Sequence, residues 1–300
     1  MSGADPVAAH PACQTRPVTN RIVITGAGGQ VGRVLAGEAG RRGHDVAAFT
    51  SAQWDITDAD AARDIVAAGD VVVNCAAFTA VDAAEGDPDR AHAVNAAGPG
   101  AIARACAGTG ARMIHLSTDY VFNGAFDGAP RPYDVDDPTG PLSVYGETKL
   151  AGERAVHEAL PDAHVVRTAW VFTGGDSDFV GVMSRLAAGD DPVSVVVDQI
   201  GSPTYSVDLV SALLEIVERP SAPALLHIAN EGAASRYEQA RRVFAGVGAD
   251  PDRVVPASSA DMPRPAARPP YSALSGRAAV SAGLTPLRPW ADALAAALTV

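Results

Sequence analysis

One tyrosine and one lysine, four residues apart, carry the clearest chemistry in the chain. Tyr145-Gly-Glu-Thr-Lys149 opens a stretch with helical patterning, residues 142–160. A spacing of four puts both side chains on one helix face. A phenol is a poor proton donor at neutral pH because its ordinary pKa is about 10. An ammonium nearby favours the phenolate and lowers that value, and the pair then suits proton transfer to a carbonyl oxygen. Composition isolates this lysine: of 23 basic residues, Lys149 alone is not an arginine. Arginine serves wherever a surface charge is wanted. A compact, rotatable ammonium is needed where a planar guanidinium cannot take its place.

A second group of residues points to a dinucleotide. Gly26, Gly29 and Gly32 follow an apolar run at residues 21–25 (RIVIT) and open a helical stretch. In a strand–turn–helix, the first glycine permits the tight turn, the second lets backbone approach a pyrophosphate, and the third lets helix and strand pack closely. The helix N-terminus then receives the phosphates. The tip of the next strand reads Phe49-Thr50-Ser51. No carboxylate stands there to bond ribose hydroxyls or to repel a 2′-phosphate, so the expected cofactor is NADPH, with NADH tolerated. Arg33, Arg41 and Arg42 are the arginines expected to assist.

These residues need a scaffold, and the hydrophobic pattern supplies one. Strands are expected at 21–25, 45–49, 71–76, 112–117 and 164–169. Helices are expected up to about residue 42 and at 59–68, 88–108 and 142–160. Alternation of strands with helices means βαβ units and a parallel sheet, and apolar rather than alternating strands mean that both faces are covered. The fold class is therefore α/β, a Rossmann-type doubly wound parallel sheet over residues 21–172. Residues 173–300 form a smaller C-terminal substrate-binding region that returns elements to the main sheet. It holds helices near 207–218, 237–247 and 290–298, a strand at 225–229 and a loop at 256–271. Residues 1–20 read as a disordered extension without the apolar core of a secretory signal.

The net charge of −12 argues against a nucleic-acid or membrane-surface footprint. No apolar run is long enough to cross a bilayer. The three cysteines are odd in number and lack metal-ligand spacing, which fits reduced thiols in the cytoplasm. His44, His92, His115 and His227 show no paired ligand spacing and read as structural.

Taken together, these features resemble the extended short-chain dehydrogenase/reductase superfamily. Residues 77–82 (AFTAVD), 115–122 (HLSTDYVF), 144–153 (VYGETKLAGE), 167–172 (RTAWVF) and 198–204 (DQIGSPT) narrow the likeness to the dTDP-4-dehydrorhamnose reductase family. The likeness runs from about residue 21 to the C-terminus. It implies an oxidoreductase acting on CH-OH groups, with hydride passing from the nicotinamide to the C4 ketone of a dTDP-linked 4-keto-6-deoxy sugar. It also implies roles. Gly29, Gln30 and Val31 lie on the dinucleotide, Asp55 and Ile56 near the adenine, and Ala77, Phe78 and Thr79 along the cofactor cleft. Thr118 polarises the carbonyl with Asp119 beside it, Ser117 being the alternative for that role. Tyr145 donates the proton, Lys149 binds the nicotinamide ribose and tunes Tyr145, and Trp170 packs on the sugar. Asp82 and Asp119 read as turn and helix-start residues rather than catalysts.

Three departures from the family pattern stand out. The stretch between Thr118 and Tyr145 carries a Gly/Asp/Pro-rich insertion at 123–137. Residues 267–272 read ARPPYS where relatives often have a second arginine, leaving Arg268 as the diphosphate anchor. Val34 stands where some relatives carry a metal-binding glutamate, so no metal is expected. The chain is expected to act as a monomer or homodimer. The alternatives are an NAD-dependent nucleotide-sugar epimerase or dehydratase, and a non-catalytic subunit resembling the regulatory subunit of methionine adenosyltransferase.

Overall fold

A computed structural model describes residues 21–175 and 177–299; the expected N-terminal extension at 1–20 lies outside the described residues. Five strands, β1 (Arg21–Thr25), β2 (Asp45–Phe49), β3 (Val71–Asn74), β4 (Arg112–Thr118) and β5 (His164–Thr168), join an edge strand, Leu225–His227, in one six-stranded parallel sheet. The order is edge strand–β5–β4–β3–β1–β2. The chain winds outward from β1 to β2, then returns past β1 to β3. That reversal leaves a crevice at the carboxyl ends of β1 and β3, where doubly wound sheets bind their ligands.

The apolar strands are covered on both faces, as their composition requires. On one face Ile22, Ile24 and Val73 pack with Leu35 of helix α1 (Gln30–Arg41) and with Leu209, Leu213 and Ile216 of helix Ser206–Glu218. On the other, Val23, Val72 and Met113 pack with Ile102 and Cys106 of helix Gly98–Thr109 and Val156 of helix Val144–Ala159. A separate apolar cluster gathers Phe172, Val180, Met183, Tyr205, Val243, Phe244 and Leu294, all from the last 130 residues of the chain. Helix Ser206–Glu218 and the edge strand return to the main sheet from this part of the chain.

The helix expected at 88–108 is not continuous. It runs as Pro88–His92, a π turn Ala93–Ala97, then Gly98–Thr109. Pro99 has no N–H to give the Asn95 carbonyl, and a π turn absorbs the break. That carbonyl presses on the neighbouring helix, where a Cβ on Gly152 would lie 2.1 Å from it. The C-terminal part holds elements that the pattern does not announce. Among them are helix Phe179–Ala187 and strand Val193–Val196, which pairs in parallel with Val254–Ala257. The latter runs two residues into the segment expected to be loop. Strands of four residues are too short for periodicity to show. β3 ends at Asn74, two residues before the expected end, because residues 75–79 peel away to line the cleft.

Candidate active site

The glycine turn has the shape its spacing implies. Gly26 takes φ +64°, and a Cβ there would stand 2.6 Å from the Ala76 nitrogen. A Cβ on Gly32 would stand 2.3 Å from the Gly26 carbonyl oxygen, and one on Gly29 3.3 Å from the same atom. Gly29 caps α1 with no side-chain hydrogen bond, and the first turn carries no acidic residue. Its N–H groups are therefore left for an anion. These observations fit a dinucleotide pyrophosphate: side chains would fill the cradle, and none is present.

The turn opens into a cleft of about 1290 Å³ at the carboxyl ends of the strands. Every residue expected to touch the cofactor lines it, and so do Thr118, Asp119 and Trp170; Arg268 does not. Thr50 and Ser51 form part of the wall, and Gln53 Oε1 accepts both the Thr50 N–H and hydroxyl at 2.9 Å. The arginines expected to assist stand elsewhere. Arg41 and Arg42 are tied to Glu38 at 2.6 and 3.0 Å, and Arg33 is not part of the wall. Arg90 is the arginine in the wall instead, 5.8 Å over the Phe78 ring. Asp55 accepts from the Thr57 N–H at 3.0 Å and hydroxyl at 2.8 Å, bonds that hold its carboxyl below the usual range.

Ser143 caps the helix Val144–Ala159 through the Gly146 N–H. Gly146 lets the first turn press on the Tyr120 carbonyl, where a Cβ would lie 2.3 Å away. This seats the Tyr145 phenol beside the Thr118 hydroxyl, with its ring edge-to-face on Tyr120 at 5.6 Å. The Ser117 hydroxyl is committed elsewhere: it donates to Glu153, which also takes both arms of Arg167 at 2.9 and 2.7 Å. Thr118 is the hydroxyl beside the phenol, and its own proton goes to Asp119 Oδ1 at 3.1 Å. Lys149 is buried one turn on, its Nζ donating to the Leu116 carbonyl at 2.6 Å.

The electrostatics correct one expectation. Lys149 was to lower the Tyr145 pKa. In this arrangement the ammonium is turned to Leu116, and burial pushes the phenol above its ordinary value, with Asp119 adding to the rise. Burial lowers Lys149 to about 8, against the opposing pull of Glu153 and Cys75. Burial raises the Cys75 thiol to about 12 and the Asp119 carboxyl to about 6, the latter against hydrogen bonds from Ser272 and Thr118.

Just past the carboxyl end of β5, Trp170 takes φ +45° and Gly201 gives it room, since a Cβ there would lie 2.4 Å from the indole. Asp82 opens helix Val81–Gly86 but is not a local turn residue. It accepts from Arg268 at 2.7 and 2.9 Å and from the Ala266 N–H at 3.2 Å, across more than 180 positions of sequence. Arg268, expected to meet the diphosphate, is therefore occupied by Asp82. Asp119 starts a 3-10 turn as expected, and its buried carboxylate accepts the Ser272 hydroxyl. The insertion at 123–137 is ordered. Its Tyr133 stacks on Phe122 at 4.0 Å, and Gly124 lies against Pro270. His115 and His227 are buried and bonded to Asn74 and the Tyr133 carbonyl, respectively.

Three residues at the site escaped the sequence. Asn95, in the π turn, accepts from the Phe78 N–H at 2.8 Å and donates to Thr148 at 3.1 Å, joining the cleft loop to the Tyr–Lys helix. Pro99 inside a helical pattern was its only signal. Glu153 and Arg236 gave none beyond their place on amphipathic helices. Among the described residues no group of three or more His, Cys, Asp or Glu could hold a metal ion, and no helix is long and apolar enough to cross a membrane.

Comparison with known proteins agrees with this geometry. Residues 20–300 match the family model described as RmlD substrate binding domain. A dTDP-4-dehydrorhamnose reductase of Mycolicibacterium smegmatis is 62% identical over 278 residues, 92% of this chain and 84% of that protein. One from Mycobacterium tuberculosis is 60% identical over 282 residues, 93% of each chain. The crystal structure of the Bacillus anthracis dTDP-4-dehydrorhamnose reductase in complex with NADP superimposes with a TM-score of 0.87 at 34% identity, over 92% of this chain and 98% of that one.

Proposed function

The chain belongs to the RmlD substrate-binding-domain family, and we propose that it reduces the C4 ketone of dTDP-4-dehydro-L-rhamnose to dTDP-L-rhamnose with NADPH. The observation that carries this reading is the meeting of the Thr118 hydroxyl and the Tyr145 phenol at the carboxyl end of β4, in the same cleft as the glycine cradle. NADPH supplies the hydride when bound; the protein supplies placement and a proton. Thr118, whose hydroxyl proton points to Asp119 at 3.1 Å without a substrate, would turn that proton to the ketone oxygen. Tyr145, kept protonated by its burial, gives its proton to the same oxygen as negative charge develops there.

Gly26, Gly29, Gln30, Val31 and Gly32 would hold the pyrophosphate, Asp55 and Ile56 the adenosine side, and Ala77, Phe78 and Thr79 the length of the cofactor. Lys149 would hold the nicotinamide ribose. Trp170 packs on the sugar, with Asp119 behind the carbonyl site. The uncharged tip at Thr50 and Ser51, with Arg90 in the same wall, favours NADPH over NADH while tolerating the latter. The reaction needs no metal, because Thr118 and Tyr145 already supply donors to the oxygen. The protein works in the cytoplasm as a monomer or homodimer, and its charge of −12 disfavours nucleic acid.

The test is direct. Protein mixed with dTDP-4-dehydro-L-rhamnose and NADPH should oxidise one NADPH per sugar and yield dTDP-L-rhamnose by mass spectrometry. Protein that binds NADPH tightly but leaves it unoxidised in the presence of this sugar would instead be a binding subunit.

A further inference from the structure

With Arg268 bidentate on Asp82, the arginine beside Trp170 that makes no ion pair among the described residues is Arg236. It is the first residue of helix Arg236–Gly246. Its backbone N–H donates to the Gln199 carbonyl at 3.2 Å and its Nη1 to Gln239 at 3.1 Å. Among the described residues it makes no ion pair, although fourteen pairs occur elsewhere in the molecule. Its guanidinium lies 3.5 Å over the Trp170 ring and 4.8 Å from the Phe179 ring. Trp170 and Asp119 both line the cleft, and the charge of Arg236 is felt by Asp119 and Tyr120.

This placement is costly in three ways. A part-buried guanidinium with no ion pair among the described residues loses hydration, and aromatic faces return only part of that. Its charge sits in the first turn of a helix, at the positive end of the dipole. Arg268, beside Tyr120, is a second cation close enough to oppose it. Burial lowers Arg236 only to about 10, so it stays charged at neutral pH. Arg236, Arg268 and a helix N-terminus stand beside the Trp170 indole, set against the carboxylates of Asp82 and Asp119, and Asp119 is already shared with the Ser272 and Thr118 hydroxyls. A planar fork is also the shape that grips phosphate oxygens in pairs.

We propose that Arg236, held flat against Trp170 while Asp82 occupies Arg268, is the residue that grips the diphosphate of the sugar nucleotide. The inference rests on the reductase reading above and names the side chain that selects a diphosphate-linked sugar over a free or monophosphorylated one. It also gives Trp170 a second duty. The indole is fixed by its own φ, by the space at Gly201 and by the stacked guanidinium, so one rigid unit sets the sugar and its diphosphate together relative to Tyr145.

The experiment measures dTDP and dTMP binding by calorimetry to the parent, Arg236→Met and Arg236→Lys, with NADPH binding as the check on folding. Methionine keeps an apolar cover on the indole and removes the charge. A charge-assisted hydrogen bond is worth enough that Arg236→Met should weaken dTDP roughly ten- to a hundredfold. Binding of dTMP and NADPH should stay within about twofold, and the KM for the sugar nucleotide should rise with little change in kcat. Arg236→Lys, which keeps a cation without the fork, should lose several-fold of the dTDP preference, and it decides the matter if the methionine variant does not fold. Unchanged dTDP binding in a folded variant overturns the proposal. So does an equal loss of dTDP and dTMP, which would make Arg236 only a support for Trp170. A parent that prefers dTDP through Arg236 but reduces no keto-sugar would keep this inference and sink the reductase reading.

Discussion

Tyr145 and Lys149 are both buried, and burial moves their proton affinities in opposite directions, because it disfavours whichever form is charged. Tyr145 is thereby kept a loaded acid, and Lys149 is an ammonium near its limit. Tyr145→Phe preserves the ring against Tyr120 and deletes the acid. Turnover should fall about a hundred- to ten-thousandfold, with NADPH affinity unchanged in fluorescence titration; turnover within tenfold of the parent would remove Tyr145 from the mechanism. Lys149 carries a pH prediction. Its value is lowered from the ordinary 10.5 to about 8, so kcat/KM should fall as pH rises through about 8. Stability should move the other way. Between those two values the unfolded chain binds more protons at this site, so this contribution to stability rises with pH. A pH–rate profile flat well above 8 would free Lys149 of the role. The positions of this pair were legible from a spacing of four and a solitary lysine. The direction of the Tyr145 shift was not, because it depends on burial and on Lys149 turning to a strand carbonyl.

The elements that hold the pair were legible where period and glycine spacing coincide. β1, the turn and α1 follow from an apolar run and three glycines, and the structure gives each glycine a steric reason. Gly32→Ala places a methyl 2.3 Å from the Gly26 carbonyl oxygen, so α1 must move off β1. NADPH binding should drop by more than about a hundredfold and thermal stability should fall, since overpacking of this kind costs roughly 1–3 kcal/mol. Gly37→Ala is the control on the same helix. It is exposed, with only the tip of Arg41 near at 3.7 Å, and replacing a helix-interior glycine should stabilise by about 0.5–1 kcal/mol. Similar losses in both variants would show that α1 tolerates no alanine rather than that the cradle needs glycine. The π turn was not legible. Its cause, a missing N–H at Pro99, is local, but its consequence is Asn95 reaching Phe78 and Thr148 from another element. Helix Phe179–Ala187 stands apart from the main sheet, on its own small core, where the βα rhythm had already ended.

Over the whole molecule, the doubly wound sheet was readable and the closure of its C-terminal part was not. Asp82 and Arg268 are 186 positions apart, and a single sequence records no such pairing. Their bond straps the segment at 264–268 to helix Val81–Gly86, and Arg268 holds the Asp82 carboxyl down at about 2. A depressed carboxylate stabilises the fold above its ordinary value of 3.8 and loses that contribution as pH falls toward about 2. Asp82→Asn should therefore unfold at a lower temperature than the parent near neutral pH. The gap should close as pH is lowered through that window, and a constant gap would assign the loss to packing instead. In the proposed reaction one hydride reaches C4 of the sugar and stays there, and isotope transfer reads this out. With NADPH deuterated at its transferable position and dTDP-4-dehydro-L-rhamnose as substrate, NMR of the product should show one deuterium at C4 of dTDP-L-rhamnose and an equal amount of NADP⁺. A sugar product that carries no deuterium at C4, with the reduced cofactor unconsumed, would contradict it and mark an epimerase or dehydratase that keeps its cofactor through the cycle.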